Sequence, residues 1–192
     1  MRIVAGEFRG RVLKAPPAEI TRPTTDRVRE AMMSTLYSQL GGFEGLNVLD
    51  AFAGSGALGL ECLSRGAERV TFYEKNQKAL RVLQENLNLF PQAKRRISLR
   101  KADVLKNPPV FGGGYDLVLL DPPYATDPQV IADFLGTLVA KGMLSDEALV
   151  YYEHGKSLDV ADHPAFAELG LVSAVTKTYG DIAFDIFRKD LS

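Results

Sequence analysis

Short apolar runs alternate with segments of helical periodicity along residues 45–153. Each run is rich in branched or aromatic side chains and is bounded by glycine, proline or polar residues, which is typical of strands. The segments between the runs repeat apolar residues at helical spacing, which predicts helices. Strands are predicted at 47–50, 69–74, 96–101, 115–121 and 148–153, with helices at 56–65, 77–89 and 128–138. This alternation indicates an α/β fold with a mostly parallel sheet and helices on both faces.

The beginning of the chain has a different pattern. Residues 1–13 alternate weakly around a glycine-bounded turn, which predicts a short β-hairpin. Three prolines in 15–23 predict a loop, and a helix is predicted to follow over 24–40. We expect a single domain that spans residues 1–192, with 1–23 as an N-terminal hairpin and loop extension.

The end of the chain departs from the alternation as well. Residues 171–178 and 182–188 are predicted strands joined by a tight turn, and they form a closing hairpin. The last strand would then run antiparallel to the others. Together with the central strands, this hairpin completes a Rossmann-like sheet of seven strands that is mostly parallel.

The composition is that of an ordinary soluble globular protein, with 46% hydrophobic and 24% charged residues in a chain of 192. No apolar run reaches the roughly 20 residues needed to span a bilayer, and no charged and then apolar leader opens the chain. The one cysteine, Cys62, excludes an internal disulfide framework and a cysteine cluster for structural zinc. We therefore expect a cytoplasmic protein that requires neither a membrane nor a metal. A monomer is the expected oligomeric state.

Charge is distributed unevenly along the chain. The net charge is −1, which does not indicate a general binder of nucleic acid. Residues 1–29, however, contain seven basic and three acidic side chains, so that this segment carries a net charge of +4. This asymmetry predicts that the N-terminal end faces a polyanion. On charge alone, a solvated basic surface explains the segment equally well.

A glycine-rich turn, Gly54-Ser55-Gly56-Ala57-Leu58-Gly59, follows the first predicted strand. Glycines allow a tight turn and let a ligand approach the N-terminus of the next helix. The spacing matches the fingerprint of dinucleotide-binding proteins, and Glu74 follows about 20 residues later, where a carboxylate suits a ribose diol. Two cofactors fit this pattern, a nicotinamide dinucleotide and S-adenosylmethionine.

Acidic residues at the ends of the other predicted strands favour S-adenosylmethionine. Asp50 closes the first strand, where it would repel a pyrophosphate but could orient a cofactor that carries an amine and a sulfonium. Asp103 follows the third strand and could accept a hydrogen bond from the exocyclic amine of adenine. A dinucleotide site does not need acids at four strand ends, at Asp50, Glu74, Asp103 and Asp121 together.

The tetrapeptide Asp121-Pro122-Pro123-Tyr124 follows the apolar run of the fourth predicted strand. Ligands of open α/β sheets bind just beyond the carboxyl ends of strands, and prolines stiffen the turn that leaves the sheet. The Asp121 carboxylate and the Pro122 carbonyl could accept hydrogen bonds from the exocyclic amine of an unstacked base and localise its lone pair. Tyr124 could stack on that base, and Pro123 helps to keep the carbonyl aimed. These four residues form the predicted catalytic set.

Two motifs together carry a resemblance to a known group of enzymes. Asp50-x-Phe52-x-Gly54-Ser55-Gly56 and the tetrapeptide resemble class I S-adenosylmethionine-dependent methyltransferases that act on amino nitrogens. Further segments narrow the resemblance to the bacterial RsmD family, the 16S ribosomal RNA guanine-N2 methyltransferases. These segments are 1–6, 9–11, 22–30 and 52–61. In that family the tetrapeptide often ends in Phe, and Tyr124 preserves the stacking face.

The resemblance implies a site and a substrate. The cofactor residues would be Asp50, Phe52, Gly54, Ser55, Gly56, Glu74 and Asp103. The acceptor would be a guanine of 16S rRNA, presented in the small ribosomal subunit. The arginines expected to contact RNA phosphates are Arg9, Arg11, Arg22, Arg27 and Arg29. Ion pairs of Arg22 and Arg27 with neighbouring acids are an alternative to RNA contact.

The sequence is also compatible with three other functions. An adenine-N6 nucleic-acid methyltransferase would be expected to carry a recognition insert, for which a chain of 192 residues has little room. A dinucleotide-dependent oxidoreductase is supported only by the glycine spacing and Glu74. A non-catalytic RNA-binding or assembly factor would not need the intact tetrapeptide.

Overall fold

The computed structural model describes residues 1–15, 26–111 and 113–190. These residues belong to two compact units, Met1–Ala102 and Asp103–Ser192. Each unit contains parallel strands and helices, in keeping with the α/β class predicted from the alternation. The expectation of one domain with an N-terminal extension over 1–23 stays a prediction, because part of that extension lies outside the described residues.

The first unit contains three parallel strands and the helices that connect them. Its elements are α1 (Asp26–Leu40), β1 (Asn47–Asp50), α2 (Ala57–Ser64), β2 (Arg69–Tyr73), α3 (Gln77–Leu87), a 3-10 helix (Pro91–Arg96) and β3 (Ile97–Arg100). The strands lie in the order β3-β2-β1, with Val70 of β2 opposite both Val48 and Ile97. The predicted strands and helices of this unit are present, with ends that differ by a residue or two; the 3-10 helix was not predicted.

Burial in the first unit follows the sequence pattern. The β1 residues Val48 and Leu49 are fully buried, as expected for a parallel strand that is covered on both faces. Helix α3 begins after Asn76, whose side chain accepts hydrogen bonds from two backbone N–H groups of the first turn. The buried stripe of α3 is Ala79, Leu80, Leu83 and Asn86. Asn86 is therefore a polar residue on a face that is otherwise apolar.

The predicted N-terminal β-hairpin is present, and we use that name for residues 1–14. Arg2 pairs antiparallel with Val12, and the backbone N–H of Ile3 donates to the Arg11 carbonyl oxygen at 2.9 Å. The hairpin is anchored by apolar side chains, because Ile3, Phe8 and Leu13 are all buried. The Phe8 ring packs edge-on against Phe90, with 4.9 Å between the ring centroids.

The second unit contains four strands and two helices. Its elements are β4 (Tyr115–Leu120), α4 (Pro128–Ala140), β5 (Leu144–Gly155), α5 (Pro164–Ala167), β6 (Leu171–Tyr179) and β7 (Ile182–Lys189). The strands lie in the order β4-β5-β7-β6. β4 and β5 are parallel, whereas β7 is antiparallel to both of its neighbours. The predicted closing hairpin and the antiparallel last strand are confirmed, and the residues that the structure describes form the predicted seven strands.

Two features of the second unit differ from the prediction. β5 begins at Leu144, four residues before the predicted start, because Leu144 pairs with Tyr115 across a register shift in β4. The short helix α5 was not predicted, since its four residues are too few to show a helical period.

As the apolar run indicated, the β4 residues from Leu117 to Leu120 are fully buried. Among the described residues, no helix is long and apolar enough to cross a membrane.

Candidate active site

The glycine turn after β1 depends on backbone conformations that favour glycine. Gly54 has φ 55° and Gly56 has φ 82°, and Gly56 immediately precedes α2. A Cβ atom on Gly56 would lie 2.5 Å from Leu83 Cδ1 of α3. Glycine at position 56 therefore serves both the left-handed turn and the close packing of α3 against it.

Glu74, which was predicted to bind a ribose, lies directly against the glycine turn. It follows β2, and its Oε2 accepts a hydrogen bond from the Gly54 N–H at 2.8 Å. Its Oε1 accepts from the Asn76 N–H at 2.6 Å. The backbone thus fixes both carboxylate oxygens beside the glycine turn. Contact between Glu74 and a ribose stays a prediction.

Asp50 is buried at the end of β1 and faces α2. Its side chain is 2% exposed, and Oδ2 accepts a hydrogen bond from the Gly59 N–H at 3.1 Å. Burial raises the pKa of Asp50 to about 7; the hydrogen bond from Gly59 lowers it, and the charge of Glu74 raises it further. The described contact therefore joins β1 to α2, whereas contact between Asp50 and a cofactor amine stays a prediction.

The other predicted cofactor residues of the first unit are Phe52 and Ser55. Phe52 is half-buried. Ser55 is 8% exposed, and its hydroxyl lies 3.6 Å from the Met1 sulfur. The N-terminal hairpin and the glycine turn therefore meet at Ser55.

Asn86, which was not predicted as a site residue, joins the hairpin to the glycine turn. Its Nδ2 donates to the carbonyl oxygens of Ser55 and Lys14, each at 2.9 Å. Its Oδ1 accepts from the Lys14 N–H at 2.8 Å. Asn86 is fully buried, so these hydrogen bonds satisfy its polar atoms away from water. The signal in the sequence is an asparagine at an apolar position of α3.

Asp103, the remaining predicted cofactor residue, opens the second unit. Its Oδ1 accepts a hydrogen bond from the Leu105 N–H at 3.2 Å, and its backbone carbonyl accepts from the Asn107 N–H at 2.9 Å. The side chain is half-buried and helps to close a turn. A contact between Asp103 and adenine stays a prediction.

The tetrapeptide forms the turn that leaves β4. Pro122 is buried and Pro123 is exposed, while Asp121 and Tyr124 are half-buried. The Pro123 carbonyl oxygen accepts a hydrogen bond from the Thr126 N–H at 2.8 Å, which closes the turn. A carboxylate and an aromatic ring that are partly open to solvent therefore follow directly on a fully buried strand.

Tyr124 is tied to a residue that sequence reasoning missed. Its hydroxyl donates to Glu153 Oε1 at 3.3 Å, and the Tyr151 hydroxyl donates to Glu153 Oε2 at 3.0 Å. Glu153 lies on β5 and is 2% exposed. The predicted strand 148–153 ended at this residue, but nothing in the local sequence links it to Tyr124, 29 positions earlier.

The pKa values of two buried residues, Glu153, which contacts Tyr124, and its partner Tyr151, are set mainly by burial. Burial raises the pKa of Glu153, and the hydrogen bonds from Tyr151 and Tyr124 and the nearby His154 lower it in part. Burial also raises the pKa of Tyr151 well above its usual range, and the charges of Glu153 and Asp121 raise it further. The negative charge of Asp121 therefore acts on the buried Tyr151 hydroxyl.

The structure separates the predicted RNA-contacting arginines into distinct groups. Arg9 is exposed on the N-terminal hairpin. Arg11 is half-buried; its guanidinium donates to the Leu89 carbonyl oxygen and lies 5.1 Å from the centre of the Phe90 ring. Arg22 and the side chain of Arg27 lie outside the described part of the chain.

The prediction that Arg29 contacts phosphate is wrong. Arg29 is 2% exposed, its Nε lies 3.6 Å from Glu61 Oε1, and its Nη2 donates to the Arg2 carbonyl oxygen at 2.9 Å. Glu61 Oε1 also accepts from the Val4 N–H at 2.6 Å. Arg29 therefore holds the N-terminal hairpin against α2 from inside the protein, where RNA cannot reach it.

Comparison with known proteins places these features in a family. A profile of the family described as conserved hypothetical protein 95 matches residues 1–188. Ribosomal RNA small subunit methyltransferase D of Escherichia coli is 32% identical over 190 residues, which cover 99% of this chain and 90% of that protein. The protein of the same name from Haemophilus influenzae is 33% identical over 194 residues, with coverages of 98% and 93%.

Solved structures agree with the sequence comparison. The structure of Escherichia coli yhhF covers 100% of this chain and 99% of its own, with a TM-score of 0.81 and 29% identity. Magnesium protoporphyrin IX methyltransferase from Synechocystis, solved with bound S-adenosylmethionine, shares the fold at 16% identity with a TM-score of 0.65. The predicted Rossmann-like class I methyltransferase fold is thereby confirmed. The chain belongs to the conserved hypothetical protein 95 family, the family of the small-subunit rRNA methyltransferases D.

Proposed function

We propose that this methyltransferase moves a methyl group from S-adenosylmethionine to the N2 amine of a guanine in 16S rRNA. The observation that carries the proposal is the tetrapeptide at the end of β4, with its aromatic ring tied to a buried carboxylate. Two relatives that match the chain over nearly its whole length are named for small-subunit rRNA. The choice of guanine N2 extends the family resemblance to this chain.

The residues of the first unit suit the cofactor. The left-handed conformations at Gly54 and Gly56 bring bare backbone to the start of α2, and Glu74 is fixed beside that turn by two N–H donors. When bound, S-adenosylmethionine supplies an electrophilic methyl group on a sulfonium. Glu74 would accept hydrogen bonds from the ribose hydroxyls, and Gly54, Ser55 and Gly56 would lie against the cofactor.

The tetrapeptide would prepare the acceptor nitrogen. The lone pair of an exocyclic amine is delocalised into the base, so the free amine is a poor nucleophile. Hydrogen bonds from its two N–H groups to the Asp121 carboxylate and the Pro122 carbonyl would localise that lone pair. Tyr124 would stack on the base and fix its plane. The amine can lose its extra proton after transfer, so no separate general base is needed.

The N-terminal hairpin would bind the RNA backbone. Arg9 is exposed on the hairpin, and the hairpin contacts the glycine turn through Met1 and Asn86. Contacts between arginine and phosphate position RNA without reading its sequence and weaken as salt rises. We further propose that the protein acts as a cytoplasmic monomer on 16S rRNA within the small ribosomal subunit.

The test is to identify the methylated product. The purified protein is incubated with methyl-labelled S-adenosylmethionine and, in separate reactions, with small ribosomal subunits from cells that lack the protein, free 16S rRNA or duplex DNA. We expect label in small subunits or 16S rRNA, and mass spectrometry of the nucleosides should identify N2-methylguanosine.

Other products would contradict the proposal in different ways. N6-methyladenosine, or label on duplex DNA, would indicate an adenine-N6 methyltransferase. Calorimetry that detects binding of NAD but not of S-adenosylmethionine would indicate an oxidoreductase. RNA binding with no methyl transfer to any of the acceptors would indicate an assembly factor.

A further inference from the structure

We infer that Glu153 is a positioning residue of the transfer reaction, acting through the Tyr124 hydroxyl to hold the ring that stacks on the acceptor base. The inference rests on the proposed function and extends it to a residue outside the tetrapeptide. Glu153 lies on β5, whereas the tetrapeptide follows β4, the parallel neighbour of β5.

The two oxygens of the Glu153 carboxylate accept hydrogen bonds from two different tyrosine hydroxyls. One oxygen accepts from the Tyr151 hydroxyl at 3.0 Å and the other from the Tyr124 hydroxyl at 3.3 Å. Tyr151 is fully buried in β5, so its hydroxyl is fixed by the sheet. Tyr124 is half-buried in a turn, so its ring is held less firmly by packing than the ring of Tyr151. The carboxylate thus transmits the rigidity of β5 to the ring of Tyr124.

The burial of Glu153 argues that stability alone does not explain this residue. A carboxylate that is 2% exposed gives up its hydration, and the two hydroxyl donors compensate for that loss only in part. A neutral side chain of similar size would avoid this unfavourable term. A buried acid that joins a half-buried ring to Tyr151, whose pKa the charge of Asp121 raises, is typical of a functional site.

A defined ring plane has a direct consequence for the reaction. In-line transfer requires the acceptor lone pair to point along the bond that breaks, and the orientation of the base sets the direction of that lone pair. A loose Tyr124 ring would still offer an apolar face for stacking, so the RNA would still bind. We therefore expect the loss of Glu153 to lower kcat while it leaves the KM for RNA nearly unchanged.

The test is a double-mutant cycle that uses Tyr124→Phe, Glu153→Gln and the double variant. Transfer is measured on small ribosomal subunits at saturating S-adenosylmethionine, and thermal unfolding is measured for each protein. We expect each single substitution to lower kcat about tenfold, with the KM for RNA within about twofold. The double variant should be no slower than the slower single variant, because glutamine has one acceptor oxygen for two tyrosine hydroxyls and both substitutions therefore weaken the same link.

The matched control is Asp185→Asn. Asp185 is a carboxylate on β7 that is 1% exposed, and it pairs with His154 Nε2 at 2.8 Å. Its substitution disturbs a buried acid in the same sheet, and neither of its described hydrogen bonds goes to the tetrapeptide. We expect lower thermal stability with kcat within about twofold of wild type.

Three results would overturn the inference. The first is that Glu153→Gln leaves kcat unchanged. The second is that the effects of the two single substitutions multiply, so that kcat of the double variant falls about a hundredfold. The third is that Asp185→Asn lowers kcat as much as Glu153→Gln does. The proposed function fails separately, if Asp121→Ala retains full transfer in the same assay. If Glu153→Gln does not fold, Tyr124→Phe and Tyr151→Phe test the same link: the inference requires the first to lower kcat and fails if it does not.

Discussion

The glycine turn after β1 and the tetrapeptide after β4 both follow a buried parallel strand, but they are held in place by different means. The glycine turn relies on left-handed backbone conformations and on carboxylates that accept from backbone N–H groups, as Glu74 does from Gly54. The tetrapeptide relies on prolines and on a carboxylate that accepts from two tyrosine hydroxyls. A turn that presents its backbone to a ligand is thus fixed by the backbone, and a turn that presents a ring is fixed through side chains.

The two turns also differ in the partners of the buried acid on the strand beside each of them. Asp50 and Glu153 are both 2% exposed, and burial raises the pKa of each. Asp50 has a described partner in the N–H of Gly59, so it links a strand to a helix. Glu153 links a strand to the tetrapeptide. The first acid should therefore matter mainly for stability and the second mainly for catalysis.

The largest effect on the free energy of unfolding should come from Asp50→Asn, which tests the proposed role of Asp50 in stability. Since the folded protein raises the pKa of Asp50 from 3.8 to about 7, the folded state binds its proton more tightly than the unfolded state does. Asp50 therefore makes stability fall as pH rises from about 4 to about 7, by up to roughly 4 kcal/mol. Asparagine can accept from Gly59 without titrating, so the variant should lose much of this pH dependence in urea unfolding.

A pH dependence of unfolding that is the same in Asp50→Asn and wild type would contradict this account of Asp50. Glu153→Gln provides the comparison, because its principal effect should be on kcat. The two variants together test whether the buried strand residues Asp50 and Glu153 have different roles, one in stability and one in catalysis.

Asn86→Ala should destabilise the glycine turn and the N-terminal hairpin, with a smaller effect on the free energy of unfolding than Asp50→Asn. It removes three hydrogen bonds and leaves buried partners on Lys14 and Ser55 unsatisfied, so the free energy of unfolding should fall by about 3 kcal/mol. The affinity for S-adenosylmethionine should fall too, because the glycine turn loses its support. Urea unfolding and calorimetry measure the two effects.

Asn88→Ala is the matched control for Asn86, since Asn88 is an exposed asparagine that caps the C-terminal end of the same helix. It should change the free energy of unfolding by less than about 1 kcal/mol. Equal destabilisation by the two substitutions would show that the link from α3 to the hairpin and the glycine turn is not important.

The sequence predicts those parts of the site that depend on local chemistry. The left-handed turn at Gly54 and Gly56 and the stiff turn at Pro122 and Pro123 are written in consecutive residues, because only glycine and proline provide those backbone properties. The antiparallel last strand follows from the short closing turn. Local signals of this kind do not depend on what the rest of the chain does.

The residues that sequence reasoning missed act over long separations. Asn86 lies 72 positions from Lys14, and Glu153 lies 29 positions from Tyr124. The family resemblance and the positive charge of its segment both favour RNA contact for Arg29, yet its partner Glu61 lies on another helix and Arg29 is buried against it. Charge along the chain cannot distinguish a solvated arginine from a buried one, because the difference lies in a distant partner.

The proposed function requires that the first unit binds S-adenosylmethionine and that the tetrapeptide of the second unit activates the acceptor amine. The most direct test is Asp121→Ala, with the affinity for S-adenosylmethionine measured by calorimetry and single-turnover transfer measured on small ribosomal subunits. We predict an affinity within about threefold of wild type and a transfer rate lowered by about a thousandfold or more. Transfer at the wild-type rate, or loss of cofactor binding in the folded variant, would contradict the claim.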